Sequence, residues 1–98
     1  MMTITAIIRA KKGHEATMRR ALLHVADHVR ISEPSTVGFF VSQDASDPRV
    51  FTTYERFADQ AAMDRHNASG AVARFFEIAK PILDGDVTLI TAEEISAK

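Results

Sequence analysis

The chain has 98 residues, 46% hydrophobic and 26% charged, with 12 Lys and Arg against 13 Asp and Glu for a formal net charge of −1. A chain of this length is one domain, residues 1–98, that buries about 60–68% of its unfolded surface on folding, and its charge fraction is that of a globular protein. Balanced charge argues against a nucleic-acid partner, and the absence of cysteine excludes a disulfide framework, a thiolate zinc site and a cysteine nucleophile. The longest strongly apolar stretch, Val37 to Val41, is far below the roughly 20 residues of a membrane helix. The N-terminus lacks the basic start and apolar run of a secretory signal. No membrane association and a cytoplasmic location are expected.

Thr3 to Ala10 is rich in Thr and Ile and predicts a strand. Ile4, Ala6 and Ile8 fall on one face; Thr3, Thr5, Ile7 and Arg9 fall on the other. Apolar residues on both faces predict a sheet covered on both sides. Lys11, Lys12 and Gly13 break the strand, and a helix follows from about His14 to Arg30. Its stripe is Met18, Ala21, Leu22, Val25, Ala26 and Val29. Pro34 stops it, since proline disfavours helical geometry in the residue before it.

Val37 to Gln43 and Arg49 to Phe57 predict two strands of an antiparallel hairpin, joined by the turn residues Asp44 to Pro48. Asp59 is the expected N-cap of a short helix through Asn67. After the interruption at Ser69 and Gly70, a further helix runs to about Lys80, with Val72, Phe75, Phe76 and Ala79 on its inner stripe. Pro81 ends or kinks it, and Val87 to Ile95 is the last strand. Strand, helix, strand, strand, broken helix, strand is the split βαβ pattern of a ferredoxin-like α+β fold. The helices cover one face of a four-stranded antiparallel sheet. The other face needs a second copy of the chain, so a homodimer is expected.

His66 shares a helix face with Met63 and Ala62. An inward, desolvated imidazole can act as a base or orient a substrate, or it can be a core histidine satisfied by a backbone carbonyl. Glu55 lies in a strand, where carboxylates are disfavoured; this points to a pocket, or to an edge charge or a pair with a neighbouring Arg. His24 and His28 have a metal-binding spacing, but they project away from the apolar stripe towards water, and no metal site is expected. The seven aromatic residues fall on the two hairpin strands and the last helix, as core or as the lining of an apolar pocket for a flat organic ligand. No phosphate loop or dinucleotide fingerprint occurs, and no cofactor is expected.

The segment Tyr54-Glu55-Arg56-Phe57-Ala58-Asp59-Gln60-Ala61-Ala62-Met63-Asp64-Arg65-His66-Asn67-Ala68-Ser69 resembles the signature stretch of the antibiotic biosynthesis monooxygenase family. That stretch has an aromatic-Glu strand end, then an Ala-rich acidic helix closing on His. Phe57 stands where Trp is usual, which removes an indole N–H donor. The opening Arg9, Lys11, Lys12, Gly13, the helix end Glu33-Pro34 and the hairpin tip Asp47-Pro48 are also similar to the family.

The resemblance implies a dimeric α+β barrel and a cofactor-independent monooxygenase, an oxidoreductase acting with molecular oxygen on a phenol, quinol or similar electron-rich compound. It implies His66 and Glu55 as catalytic residues, with Asn67 or Tyr54 on a substrate oxygen and Phe57 and Phe76 in the substrate pocket. Haem-degrading relatives place a Trp where His66 stands, an axial His near the position of Phe76 and an Asn on the first strand; Phe76 cannot ligate iron. Two alternatives remain at this stage: a non-catalytic ligand-binding or stress-related dimer, and an isomerase or lyase acting on a small carbonyl compound.

Overall fold

The computed structural model describes residues 1–98. Strand β1 (Met2–Arg9) leads into helix α1 (Glu15–Ser32), the hairpin β2 (Thr36–Gln43) and β3 (Val50–Phe57), helices α2 (Gln60–Asn67) and α3 (Gly70–Ala79), and strand β4 (Thr88–Glu93). The sheet order is β2-β3-β1-β4 and every pairing is antiparallel. This is the expected ferredoxin-like α+β fold. No helix is long and apolar enough to cross a membrane.

Local chemistry sets the element ends. The Asp59 side chain accepts the Ala62 N–H at 2.8 Å and opens α2. The Ser69 hydroxyl accepts from Val72 N at 3.2 Å and opens α3. Each satisfies a backbone donor that the helix itself leaves unpaired. Pro81 sits in a single 3-10 turn, Lys80–Ile82, that ends the helical run. Gly13 turns the chain into α1 at φ 90°, a backbone region that costs glycine little.

Strand alternation divides the sheet. Ile4, Ala6, Ile8, Phe51, Thr53, Glu55 and Phe57 face the helices and are buried. Two apolar clusters lie on this side. The larger joins Ala6, Ile8 and Phe51 to Met18, Leu22, Val25 and Val29 of α1 and to Phe75 and Ala79 of α3. The smaller joins Ile4 and Phe57 to Ala62 and Met63 of α2. Burying each large side chain contributes about 1.5–3 kcal/mol.

One residue of the expected inner stripe departs from it. Phe76 is 44% exposed, because Phe75 takes the inward position and the next residue is rotated by roughly 100°. The two rings pack edge to face, 5.2 Å apart. The last strand is shorter than the sequence predicts, and every residue in it is exposed. Leu89 faces the helix side, opposite Ala6, yet it lies beyond the cover that α1 and α3 provide.

The hairpin holds one irregularity that matters for the site. The register of β2 against β3 shifts between Thr36 and Gly38. Val37 is thus an extra residue in the strand, and both Thr36 and Phe39 face the helices, with Gly38 turned outward between them.

Candidate functional site

Glu55 is a carboxylate in an apolar row. Across the sheet its neighbours are Phe39 on β2 and Ile4 on β1, followed by Thr91 on β4. It is 6% exposed, and such a charge is costly unless it is paired and hydrogen-bonded. Both conditions are met. Thr53 Oγ1, two residues back on the same face, donates to Glu55 Oε2 at 2.7 Å, and His66 Nε2 lies 3.2 Å from Oε1.

His66 reaches this position because α2 buries Ala62, Met63 and His66 on one face. The imidazole is 4% exposed and sits against the rings of Phe39 and Phe57, at centroid distances of 5.6 and 5.3 Å. Its second nitrogen, Nδ1, is 2.8 Å from Glu33 Oε1, and the same oxygen accepts from Thr36 Oγ1 at 2.8 Å. The ring is therefore clasped by one carboxylate on each nitrogen. Burial pushes the imidazole towards the neutral form. The hydrogen bonds to Glu55 and Glu33, with their charges, outweigh burial and hold its pKa above the ordinary histidine value.

Glu33 has no place among the residues that the sequence singles out for chemistry. There it reads only as a helix end. A signal was nevertheless present: a carboxylate just past a helix C-terminus faces the negative end of the helix dipole, so its presence there calls for a compensating cation. Here His66 supplies it. His28 also departs from the expectation that it faces water. It is half-buried, and its Nε2 lies 3.1 Å from Glu33 Oε2, an ion-pair distance at which no hydrogen bond is formed. Oε2 is out of contact with water and has no hydrogen-bond donor, a state that costs about 1–3 kcal/mol for a buried acceptor. His24 is exposed as expected.

Beside the Glu55–His66 pair lies a cavity of about 70 Å³ between the sheet and helices α1 and α3. Its walls are largely apolar; Glu55, His66, Thr53 and Asn67 are the polar groups that line it. Phe76 and the 57% exposed Leu89 also line it and form its rim.

The structure thus brings together His66, Glu55, Asn67 and Phe76 around one cavity. Phe57 does not line that cavity. It is fully buried beneath the imidazole and props the ring. Tyr54 is on the other side of the sheet, since adjacent strand residues point to opposite faces. Its hydroxyl is hydrogen-bonded to Glu94, which also takes a two-pronged contact from Arg56 at 2.8 and 3.1 Å. The bond to Glu94 holds the Tyr54 phenol above its ordinary pKa, and the Arg56 guanidinium holds the Glu94 carboxyl below its own. Arg56 therefore pairs with Glu94 and leaves Glu55 to His66.

A ferredoxin-like sheet with an apolar cavity under its helices and a buried ionisable cluster in the cavity wall defines a class of α+β fold. The family model described as antibiotic biosynthesis monooxygenase matches residues 1–78, and the chain belongs to that family. Solved structures share the fold over nearly the whole chain. One, described as an antibiotic biosynthesis monooxygenase, is 21% identical with a TM-score of 0.89, covering 98% of this chain and 100% of that one. A candidate antibiotic biosynthesis monooxygenase from Deinococcus radiodurans is 26% identical with a TM-score of 0.89, covering 100% and 96%. The protein PA3566 from Pseudomonas aeruginosa is 25% identical with a TM-score of 0.87, covering 97% and 94%. No curated protein matches the chain in sequence.

Proposed function

We propose that the protein is a cofactor-independent monooxygenase that oxidises a small phenol or quinol in the cavity under the helices. The observation that carries this reading is the carboxylate of Glu55, buried in an apolar wall, facing the cavity and backed by a doubly clasped imidazole. An apolar cavity excludes water and strengthens each electrostatic contact inside it.

In this reading the roles differ from those the family resemblance implies. With both of its nitrogens turned to carboxylates, His66 is a proton-holding group, and Glu55 is the base. Its carboxylate takes the phenolic proton. The resulting phenolate passes one electron to oxygen, and the phenoxyl radical and superoxide couple at a ring carbon. The hydroperoxide then loses water, so that phenol and oxygen give quinone and water. Asn67, which lines the cavity, holds the substrate oxygen in this reading. Tyr54 has no role in the cavity.

Size limits the substrate. A cavity of about 150 Å³ takes benzene, so 70 Å³ admits at most one ring, and only with Phe76 and Leu89 swung outward.

The second copy of the chain belongs to this reading as well. Phe40, Tyr54, Thr5 and Ile90 form one row across the outer sheet face. Phe40 stacks on Tyr54 at 6.4 Å, and Phe40 and Ile90 are more than half exposed. Such a band on a sheet face is suited to isologous packing against its own copy.

The test is oxygen uptake with single-ring hydroquinones and with larger hydroxylated polycyclics, without added flavin or metal. Uptake is expected with the former, and Glu55→Gln is expected to reduce it by about 10²–10⁴-fold. Uptake that survives Glu55→Gln would remove the base. Anaerobic conversion of a carbonyl compound, or tight binding without turnover, would replace the oxygenase reading.

A further inference from the structure

We infer that Glu33 and His28 form a proton path between the buried Glu55–His66 pair and solvent. The inference extends the site reading above, but it rests on geometry that is present without any substrate.

The groups are in series. Glu55 lines the apolar cavity. His66 touches Glu55 through Nε2 and Glu33 through Nδ1. Glu33 Oε2 lies 3.1 Å from Nε2 of His28, whose side chain is 36% exposed. On the far side of Glu33 is a separate, polar cleft lined by His28, Ser32, Ser35, Arg65 and Ser69. His66 and Glu33 line that cleft as well. The imidazole thus stands as a partition, with an apolar cavity on one side and a polar cleft on the other.

A histidine clasped only for stability needs no such continuation. One feature marks the continuation as more than packing. Glu33 Oε2 is buried without a hydrogen-bond donor, and the His28 ring, 36% exposed, stands with Nε2 3.1 Å away without bonding to it. A ring that turns between this oxygen and the cleft carries a proton across the gap.

The transfers balance. Glu55 takes a proton from the cavity. The relay runs through the neutral ring, which carries its proton on Nδ1 and leaves Nε2 bare: it accepts the Glu55 proton at Nε2 as it releases the Nδ1 proton to Glu33 Oε1. After its carboxyl group turns, Glu33 hands the proton to His28, which releases it to water. The reverse sequence returns a proton to the cavity. In an oxygenase this separates two steps: the proton leaves while the substrate anion waits for oxygen, so it cannot simply recombine, and it comes back for the loss of water.

Arg65 is the cation lining the cleft. Its guanidinium has donors and no acceptor, so the path depends on His28 and Glu33.

The experiment is ring-proton exchange at His66 in the whole, substrate-free protein, read by saturation transfer from water to the imidazole N–H in a ¹⁵N-labelled sample. His28→Ala is expected to slow exchange on the order of 10²-fold, the lower end of what a positioned acid–base group contributes, with the backbone amide spectrum unchanged. Added imidazole should restore the rate, which a merely structural role for His28 would not produce. Glu33→Gln should slow exchange without such rescue. Exchange at the parent rate in His28→Ala overturns the path, whatever the oxygen-uptake assay gives. Loss of oxygen uptake with the exchange intact would instead count against the oxygenase reading alone.

Discussion

Replacing His66 with Ala removes the one group that both buried carboxylates share. Glu55 keeps its bond from Thr53 and Glu33 keeps its bond from Thr36, but Glu55 loses its imidazole partner and Glu33 is left with His28 alone, 3.1 Å from Oε2. The side chains are only 8% and 14% exposed, so water replaces the lost contacts poorly. Breaking a buried pair in this way costs about 3–5 kcal/mol. A domain of this size has about 5–15 kcal/mol in total, so the variant folds with little margin.

With a urea dependence of about 1–3 kcal/mol per molar, the unfolding midpoint at pH 6 should fall by about 1–5 M at unchanged slope. The pH dependence carries a sign. The fold raises the pKa of His66, so its contribution is complete below the unfolded value of about 6.5. It is lost as pH rises through the folded value. The gap between parent and variant should therefore narrow as pH is raised above neutral. A gap under about 1 kcal/mol at pH 6, or one that widens with pH, would refute the picture of a protonated imidazole held by two carboxylates.

Two further outcomes test the frame around the site. The double variant Phe40→Asp, Ile90→Asp places charge on the outer face without touching either apolar cluster; light scattering is expected to report a dimer for the parent and a monomer for the variant, with the thermal transition of the monomer still cooperative. Asp59→Ala removes the N-cap of the helix that carries His66 and should cost about 1 kcal/mol, read as a lower melting temperature.

The family, the element order and the inward placement of His66 were legible in the sequence because they are local. Period-two alternation assigns Ile4, Ala6 and Ile8 to one face. It also separates Tyr54 and Arg56 from Glu55, a consequence that a reading of Tyr54 as a substrate contact overlooks. The apolar stripe fixes the inner face of α1, and Asp59 and Ser69 mark two helix starts because each supplies an acceptor to a free backbone N–H. His66 stood out as an imidazole on a face shared with Met63.

What the clasped imidazole binds was decided only in three dimensions. Glu33 is 33 residues from His66, and it meets the ring because α1 ends where α2 crosses the sheet. The extra residue at Val37 turns both Thr36 and Phe39 inward, which orients Glu33 from one side and walls His66 from the other. The position of Phe76 at the cavity rim follows from a single step of helix rotation, which an apolar stripe read with a tolerance of one residue cannot resolve. Hydrophobic pattern and capping act over three or four residues and survive in any context. The protonation state of His66 and the exit past His28 depend on charges brought together by the whole fold, where burial and two carboxylates compete at distances of about 3 Å.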